Sequence, residues 1–378
     1  MSTPLSCGAL ALVALLPLAS LSAAEKTFRE GRFGNGQLRY IEGVPVLIVE
    51  GTPEEIGAAT GELTKEAIAP LADMPKRVML RHGAEAAWPL ITAAGRSLMR
   101  HAPRDHQAEF AATVRQSGID EGTLSVANTM IELRRIGGCS ALIVDPQNSA
   151  AGGPIFGRNF DFDSFGVVDK YNLLTIYRPK GKFAFASIGY PGLVTVISGM
   201  NEKGLAVATL DVYASKDGSQ IFNPEGVPLG FSYRRILEEC ETVEQAVKLM
   251  RGVKRTTWMN LAVCDRKGGA ILEITPKSVE VRRTADGLLP CTNHFRTESL
   301  ARDKSCWRFD VFSRLDRDKK HSVADVKRAM HAVNQGESTL QTMIFEPVSL
   351  KLHLALGKPP TSALPMVEID LEPLLAGR

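Results

Sequence analysis

The central motif of this chain is Gly137-Gly138-Cys139-Ser140-Ala141-Leu142-Ile143-Val144. A helical stretch is expected to end at the two glycines, and an apolar run typical of a buried strand begins at Cys139. We infer that the chain cuts itself between Gly138 and Cys139, because glycine on the acyl side leaves its carbonyl open to the thiol. The new terminal α-amine, with an ordinary pKa of about 7.7–8.0, could then accept the thiol proton, so no histidine base is required.

The first residues of the chain have the pattern of a targeting segment. Residues 1–24 carry no charged side chain, and an apolar run is followed by the small residues Ser22-Ala23-Ala24. This pattern predicts a secretory signal peptide over 1–24 and a periplasmic or secreted protein. No second apolar run approaches the ~20 residues that a membrane helix needs, so stable membrane insertion is not expected.

Composition excludes several classes of protein. The chain is 44% hydrophobic and 23% charged, with a net charge of +3, which is typical of a soluble globular protein. No basic cluster is interleaved with aromatic residues, so nucleic-acid binding is not expected. The cysteines beyond the signal peptide show no C-x-x-C spacing, and we expect no metal and no other cofactor. Up to two disulfides remain open among Cys240, Cys264, Cys291 and Cys306.

The region 25–138 reads as mostly helical. A buried strand is expected over 44–51, followed by a helix that Thr52 caps and that ends near Ala69. Further helices are expected over 84–100, restarted at Pro89, and over 105–116 and 123–136.

From Cys139 onward the pattern is strands, then helices, then strands. Strands are expected over 139–145, 154–162, 172–178, 182–189, 194–199, 204–210, 259–265, 269–275, 278–283, near Thr292, and over 341–346 and 350–356. Helices are expected over 228–240, 243–251, 306–316 and 322–334, and the chain closes with a Pro-rich tail. This order suggests layered sheets covered by helices rather than alternating βαβ units.

Further motifs follow the cysteine in order. They are Gly157-Arg158-Asn159-Phe160-Asp161-Phe162, Asn201-Glu202-Lys203-Gly204-Leu205, Thr292-Asn293-His294-Phe295 and Ser305-Cys306-Trp307-Arg308. Together with Gly138-Cys139-Ser140, the series resembles the N-terminal-nucleophile (Ntn) hydrolases, in the branch of the isopenicillin N acyltransferases, choloylglycine hydrolases and acid-ceramidase-like amidases. The segment Gly51-Thr52-Pro53-Glu54-Glu55 most resembles the penicillin acyltransferase family, and the resemblance covers about residues 40–356.

The resemblance implies a role for each matched residue. Asp161 would accept a hydrogen bond from the α-amine of the new N-terminal cysteine, and Arg158 would favour its thiolate. Asn293, by its side-chain amide, and Asn201, by its backbone N–H, would form the oxyanion hole. Arg308 would close the cationic side of the pocket.

The two charged residues of the second motif impose a local requirement. Arg158 and Asp161 face opposite sides of a regular strand. Both can reach one site only if the strand bends or ends there, so we expect a bulge or a strand end near Asn159-Phe160.

The fold that the resemblance implies is of the α+β class, a four-layer αββα sandwich with a helical N-terminal segment. Residues 25–138 would be a propeptide or α subunit, and residues 139–378 the catalytic β subunit. The two pieces would stay associated. The reaction implied is hydrolysis of a small linear amide, an N-acyl amine or N-acyl amino acid, through a thioester on Cys139, or the related acyl transfer.

Alternatives remain at this point. Cys139 and His294 could form a papain-like dyad in an uncut peptidase, or the chain could be a non-catalytic secreted binding protein on an Ntn scaffold. Arg158 and Asp161 could be a structural ion pair. The turn at Asn201 is explained by turn chemistry alone, and the sequence does not select the acyl chain or the amine.

Overall fold

The computed structural model describes residues 27–133 and 138–377. The predicted signal peptide over 1–24 and the helix end at Gly137 lie outside the described residues. Within the described ranges, no helix is both long and apolar enough to cross a bilayer.

Residues 27–133 and 138–377 form ten α-helices and sixteen strands. The helices are α1 (Pro53–Arg81), α2 (Trp88–Met99), α3 (Arg104–Ser117), α4 (Glu121–Asn128), α5 (Met130–Leu133), α6 (Leu229–Glu239), α7 (Val243–Gly252), α8 (Trp307–Ser313), α9 (Val323–Ala332) and α10 (Glu372–Ala376). The strands are β1 (Gly31–Phe33), β2 (Gly36–Ile41), β3 (Val44–Gly51), β4 (Gly138–Val144), β5 (Ile155–Asp161), β6 (Leu173–Pro179), β7 (Phe185–Gly189), β8 (Ser198–Asn201), β9 (Ala206–Asp211), β10 (Met259–Asp265), β11 (Gly268–Ile274), β12 (Val279–Arg282), β13 (Leu288–Cys291), β14 (Thr339–Glu346), β15 (Lys351–Leu356) and β16 (Val367–Asp370).

The strands form two sheets. The larger has the order β1-β2-β3-β6-β7-β8-β9-β10-β11-β12, and the smaller has the order β13-β4-β5-β14-β15-β16. Neighbouring strands are antiparallel except β3 and β6, which are parallel. Residues 138–144 of the central motif therefore form an inner strand of the smaller sheet, between β13 and β5.

Three apolar clusters show how the layers stack. One lies between the sheets and includes Ile176 of the larger sheet with Ile143 and Phe345 of the smaller. A second joins the outer face of the larger sheet to α1, α6 and α7. A third joins the outer face of the smaller sheet to α8 and α9. This is the four-layer αββα sandwich that the sequence predicted, and that prediction is confirmed.

Helix α1 begins as predicted and ends later than predicted. Thr52 and Glu55 form a reciprocal capping box at its start. The helix was expected to stop near Ala69, before Pro70, but it continues through Pro70 and Pro75 to Arg81. Each proline removes one backbone bond, and packing of the buried face over 67–78 against the rest of the protein compensates.

The N-terminal segment contains more strand than expected, since only the strand over 44–51 was predicted in it. Its strands β1, β2 and β3 extend the larger sheet, so residues before the predicted cut are part of the sandwich itself. The helix expected over 123–136 is interrupted at Thr129, and residues 134–137 lie outside the described residues.

Two other strand predictions need correction. The strand expected over 194–199 begins only at Ser198. No strand or helix was predicted in the Pro-rich tail, yet β16 pairs with β15 and α10 follows. Its apolar residues Ile369, Leu371 and Leu374 are buried in the cluster between the sheets, which explains the order.

Candidate active site

Cys139 lies at the start of β4, where the two sheets meet. Its side chain is 3% exposed and belongs to the cluster between the sheets. The flanking backbone pairs with β5, with Gly138 opposite Asp161 and Cys139 opposite Phe160. The second motif thus lies beside the first because the two strands are neighbours in the smaller sheet.

Two residues bond to the backbone of Cys139. Its N–H donates to Asn293 Oδ1 at 2.9 Å. Arg308 donates from Nη1 to the Cys139 carbonyl and to Ser140 Oγ, and from Nη2 to Asn293 Oδ1 at 2.8 Å. Asn293 and Arg308 therefore fix the peptide nitrogen and the carbonyl of the proposed nucleophile.

The same bonds determine where the peptide before Cys139 points. The N–H and C=O of Cys139 bond to Asn293 and Arg308, on the side away from β5. Along an antiparallel strand, successive residues direct these two groups to alternate sides. The carbonyl of Gly138 therefore turns toward β5, beside the backbone N–H of Asp161. The next residue, Phe162, donates its N–H to Ser338 on the other side of β5, as this alternation requires.

Arg158 is fully buried on the inner face of β5. Phe156 and Phe160, two residues away on either side, share that face, and the guanidinium lies 5.5 Å from the centre of the Phe160 ring. Among the described residues, none of its three side-chain nitrogens has a hydrogen-bond partner. An unpaired buried guanidinium near the thiol is unusual and marks a place where a negative charge would be stabilised.

Asp161 is the last residue of β5. Its carboxylate accepts from Thr339 Oγ1 and from Gln335 Nε2, each at 2.7 Å, and lies 3.9 Å from Arg308 Nη1. Burial raises the pKa of this carboxyl, and the two hydrogen bonds oppose the rise. The strand ends here as expected, but the bulge is in the partner strand β14, between Thr339 and Gln341.

Burial also has the largest effect on the pKa of the Cys139 thiol. It raises the pKa of Cys139 above its usual value, while Arg158 lowers it and the charges of Asp161 and Asp211 raise it further. The expectation that Arg158 favours the thiolate is therefore right in sign, but its effect is smaller than that of burial. In the uncut chain the thiol keeps its proton near neutral pH.

The structure does not bring Asn201 to this site. Its backbone N–H donates to the Leu205 carbonyl, and its side-chain amide donates to the carbonyls of Leu237 and Cys240. It lies at the opposite end of β9 from Asp211, which is about 20 Å along a strand of six residues. Its polar groups close the β8–β9 turn and bond to the end of α6, so a part in the oxyanion hole is not supported.

Asp211 is the member of the site that sequence reasoning missed. Its carbonyl accepts from Asn293 Nδ2 at 2.8 Å, and the residue lines the same cavity as Cys139. The feature of the sequence that could have indicated Asp211 is its position as a single acidic residue at the end of the apolar strand β9. Gln335 and Thr339 were also missed, and no local pattern distinguishes them.

Cys139 lines an apolar cavity of about 120 Å³. Helices α1 and α4 form one wall, and the end of β5 and the chain over 190–197 form the other. Most lining side chains are apolar, among them Ile68, Met74, Leu124, Phe160, Phe162 and Leu193. The cavity fits a hydrocarbon group better than a charged or peptide-like one.

The other thiols and His294 do not complete a dyad with Cys139. In the described part of the chain all five cysteines are free and buried. His294 lies beside a different thiol, that of Cys306. Burial raises the pKa of that thiol, but the neighbouring His294 and Thr292 more than offset this and lower it to about 6. The geometry therefore gives no support to a Cys139–His294 pair.

The four-layer αββα sandwich is the fold that the resemblance to the N-terminal-nucleophile hydrolases implied, and a cysteine lies at the head of one of its inner strands, beside an arginine, an aspartate and an asparagine. Residues 148–361, more than half of the chain, match the model of the acyl-coenzyme A:6-aminopenicillanic acid acyl-transferase family. The chain belongs to this family of acyl-transferring enzymes.

Individual relatives are distant. An uncharacterised protein of Archaeoglobus fulgidus is 24% identical over 225 residues, which are 52% of this chain and 37% of that protein, so the match spans little more than a third of the relative's length. Similar solved structures include an N-acylethanolamine-hydrolysing acid amidase ortholog of Caenorhabditis elegans, at 16% identity, 59% of this chain, 95% of that chain and a TM-score of 0.45. Penicillin V acylase of Agrobacterium tumefaciens is 12% identical over 62% of this chain and 86% of that chain, with a TM-score of 0.43.

Proposed function

We propose that the chain cleaves its own Gly138–Cys139 peptide and that Cys139 then acts as the N-terminal nucleophile of an amidase for apolar acyl groups. The observation that carries this proposal is the position of Cys139. Its backbone nitrogen and carbonyl are fixed by Asn293 and Arg308, and the residue lines an apolar cavity.

Self-cleavage would proceed through a shift of the acyl group from nitrogen to sulfur. The thiol of Cys139 attacks the carbonyl carbon of Gly138, a C–S bond forms, the C–N bond breaks, and the thiol proton passes to the leaving amine. Water then hydrolyses the thioester, giving the Gly138 carboxylate and returning a proton to sulfur. The bond from the Cys139 N–H to Asn293 keeps the peptide nitrogen in a fixed position during this step.

The mature reaction would use the same atoms on an external amide. The free α-amine of Cys139 accepts the thiol proton, sulfur attacks the substrate carbonyl, and the protonated amine of the substrate leaves. Water or a second amine then takes the acyl group from the thioester, which gives hydrolysis or acyl transfer. Arg158, a buried cation without a hydrogen-bond partner in the described residues, would stabilise the negative charge of the intermediate.

The lining of the cavity supports an apolar acyl group as the specificity element. The substrate class we infer is therefore an N-acyl amine or N-acyl amino acid whose acyl part is a hydrocarbon chain. The amine part would face the polar side of the site, where Asn293, Arg308 and Asp211 lie.

The test is intact-mass analysis of wild type and Cys139→Ala, each produced as the full chain. Wild type should give two associated pieces, the second beginning at Cys139, and should hydrolyse a panel of acyl amides with a preference that varies with acyl length. Cys139→Ala should remain one piece and be inactive. Cleavage in that variant would refute self-processing, and a wild-type chain that stays whole but is active would favour an uncut peptidase.

A further inference from the structure

Gln335 lies beside the proposed cleavage point although it is far away in sequence. It follows α9, and its backbone N–H donates to Thr339 Oγ1 at 2.8 Å. Its side chain reaches back to Asp161, 174 residues earlier, where Nε2 donates to Oδ2 at 2.7 Å. Gln335 and Thr339 thus bond to the two oxygens of one carboxylate, and Gln335 also bonds to Thr339.

The same amide packs on the glycine of the scissile peptide. A Cβ atom at position 138 would lie 2.1 Å from Gln335 Nε2 and 3.1 Å from its Cδ. Only glycine leaves room for the amide in this position. Because the end of a glutamine side chain can move, a methyl group at 138 would displace the amide from Asp161 rather than the strand from its neighbours.

Gly138 and Asp161 are also partners across the β4–β5 pair. Gln335 therefore contacts both members of that pair, one by packing and the other by a hydrogen bond to its side chain. No other side chain among the described residues donates to Asp161 Oδ2, since Arg308 Nη1 lies 3.9 Å away.

We propose that Gln335 is a positioning residue for cleavage of the Gly138–Cys139 peptide, acting through Asp161 and through its packing on Gly138. The inference rests on the proposed self-cleavage. The hydrogen bond from the amide favours the ionised form of Asp161 over the protonated one and aligns its carboxylate, and the amide restricts the glycine to the conformation that the thiol attacks. Thr339 supports the arrangement from the other carboxylate oxygen.

The charge of Asp161 gives this role a distinct signature. The charged or titratable groups that face it are Arg308 from α8, Arg158 from its own strand and Cys139 from β4. The residue of β14 that faces Asp161 is Thr339, which carries no charge. A donated hydrogen bond stabilises the carboxylate, so its loss favours the protonated form. Cleavage by a Gln335 variant should therefore require a higher pH than cleavage by wild type.

The experiment follows cleavage of the full chain during cell-free synthesis, with samples quenched over time and read by intact mass. The variants are Gln335→Ala, Gly138→Ala, the double variant, and the neighbouring Asn334→Ala as matched control. Asn334 lies in the same loop, and among the described residues its partners are His331 and Gly336. We expect Gln335→Ala and Gly138→Ala each to cleave about tenfold to a hundredfold more slowly than wild type. This is the range for losing a hydrogen bond to a charged group.

Two further results separate positioning from a general loss of structure. The double variant should cleave no more slowly than Gln335→Ala, because the new methyl group then has no amide to displace. The half-maximal pH of cleavage should rise in Gln335→Ala and stay unchanged in Asn334→Ala. A wild-type cleavage rate in Gln335→Ala would overturn the proposal. So would a double variant that is slowed by the product of the two single effects.

Gln335→Glu keeps the shape of the side chain if the alanine variant does not fold. It places a second carboxyl against Asp161, so cleavage should be slow at neutral pH and recover as the pH falls and the two share a proton. Equal pH profiles for Gln335→Glu and wild type would count against the role. Cleavage in Cys139→Ala, or none in wild type, would instead remove the proposed function itself.

Discussion

At the scale of single residues, Asn293 connects the proposed nucleophile to the cavity. Its Oδ1 accepts from the Cys139 N–H and from Arg308, which leaves Nδ2 as the donor side of the amide. One Nδ2 hydrogen bonds to the Asp211 carbonyl, and we propose that the other donates to a substrate oxygen. Such a division of roles would require an amide at this position rather than a carboxylate of the same shape.

Replacing Asn293 by aspartate tests that division. Asn293→Asp keeps an oxygen for the Cys139 N–H and removes both Nδ2 hydrogens. We expect kcat/KM of the processed enzyme to fall about 10²–10³-fold, the usual effect of losing one oxyanion donor. Steady-state kinetics on an acyl amide would measure it, with Asn334→Asp as the control. Unchanged turnover in Asn293→Asp would exclude the amide as a donor.

Glu132 is a buried carboxyl just before the predicted cut. Its Oε1 accepts the Leu229 N–H at 2.6 Å. Burial, assisted by the charge of Asp211, raises its pKa from 4.5 to about 8. The folded protein therefore retains a proton that the unfolded chain releases between pH 4.5 and 8, so stability falls as the pH rises through that window.

Glu132→Gln should remove this pH dependence, because the amide keeps an acceptor for Leu229 and does not ionise. The variant should match wild type at pH 5 and exceed it at pH 8 by an amount of the order of 3 kcal/mol. Urea unfolding at the two pH values would measure the difference, with the exposed Glu121→Gln as control. Parallel pH curves for wild type and Glu132→Gln would contradict it.

At the scale of elements, a buried ion network joins α3 to α6. Arg234 bonds to both oxygens of Glu109 at 2.8 and 2.6 Å and to Glu238 at 2.7 Å. His106 and Lys182 bond to the other oxygen of Glu238. Helix α3 precedes the predicted cut and α6 follows it, so this network would connect the two pieces of a processed protein.

Removing the buried Arg234 should lower the free energy of unfolding far more than removing an exposed arginine. Arg234→Met leaves the buried carboxylate of Glu109 without its cation and removes one of the cations that bond to Glu238, which we expect to lower the free energy of unfolding by about 3–5 kcal/mol. The neighbouring Arg235→Met breaks a more exposed pair with Glu239 and should cost about 0–1 kcal/mol. Urea unfolding would compare them, and similar losses would show that the network contributes little.

The network also predicts a direction for acid sensitivity. Burial alone would raise the pKa of Glu238, but Arg234 and His106 more than offset this and hold it well below its usual 4.5. A carboxyl with a lowered pKa stabilises the fold above its ordinary value, and that contribution is lost as the pH falls below it. Association of the two pieces should therefore weaken in acid.

At the scale of the whole molecule, the cavity depends on both segments. Helices α1 and α4 come before the predicted cut, while β5 and the chain over 190–197 come after it. The piece without the nucleophile would thus form one wall of the acyl site. Acyl selectivity then depends on the assembled protein rather than on the catalytic segment alone.

A larger side chain on that wall should shorten the preferred acyl group. Ala127 of α4 lines the cavity, so Ala127→Phe should lower kcat/KM for long acyl chains at least about tenfold while sparing short ones, because each excluded methylene is worth about 0.8 kcal/mol. Ala111→Phe, on the exposed face of α3, is the matched control. Equal losses for all chain lengths would contradict the placement of the acyl chain.

The local sequence pattern was sufficient to predict most of the helices and strands. The capping box at Thr52 and the apolar runs that form β4, β5 and β10 are read directly from neighbouring residues, and they predicted the start of α1 and the bounds of these strands nearly to the residue. Propensity failed where tertiary packing opposed it. Helix α1 passes two prolines because its buried face is covered, and Ile369 in the tail is ordered because it packs between the sheets.

The candidate site was predicted only in part. The matched motifs led to Cys139, Arg158, Asp161, Asn293 and Arg308, and the structure brings these residues together. Asn201 has the matching sequence but lies at the far end of β9, since a motif does not specify which end of a sheet it occupies. Asp211 and Gln335 were missed because their contacts come from strand order and register.

The sequence alone determined the class of fold, the cysteine at the head of a strand and the glycine before it, because those depend on residues close together in the chain. The tertiary structure decided which distant groups meet there. Asn293 is 154 residues from Cys139, and Gln335 is 174 from Asp161. Contacts at such separations depend on how two sheets stack and which strands are neighbours, and no local periodicity encodes that choice.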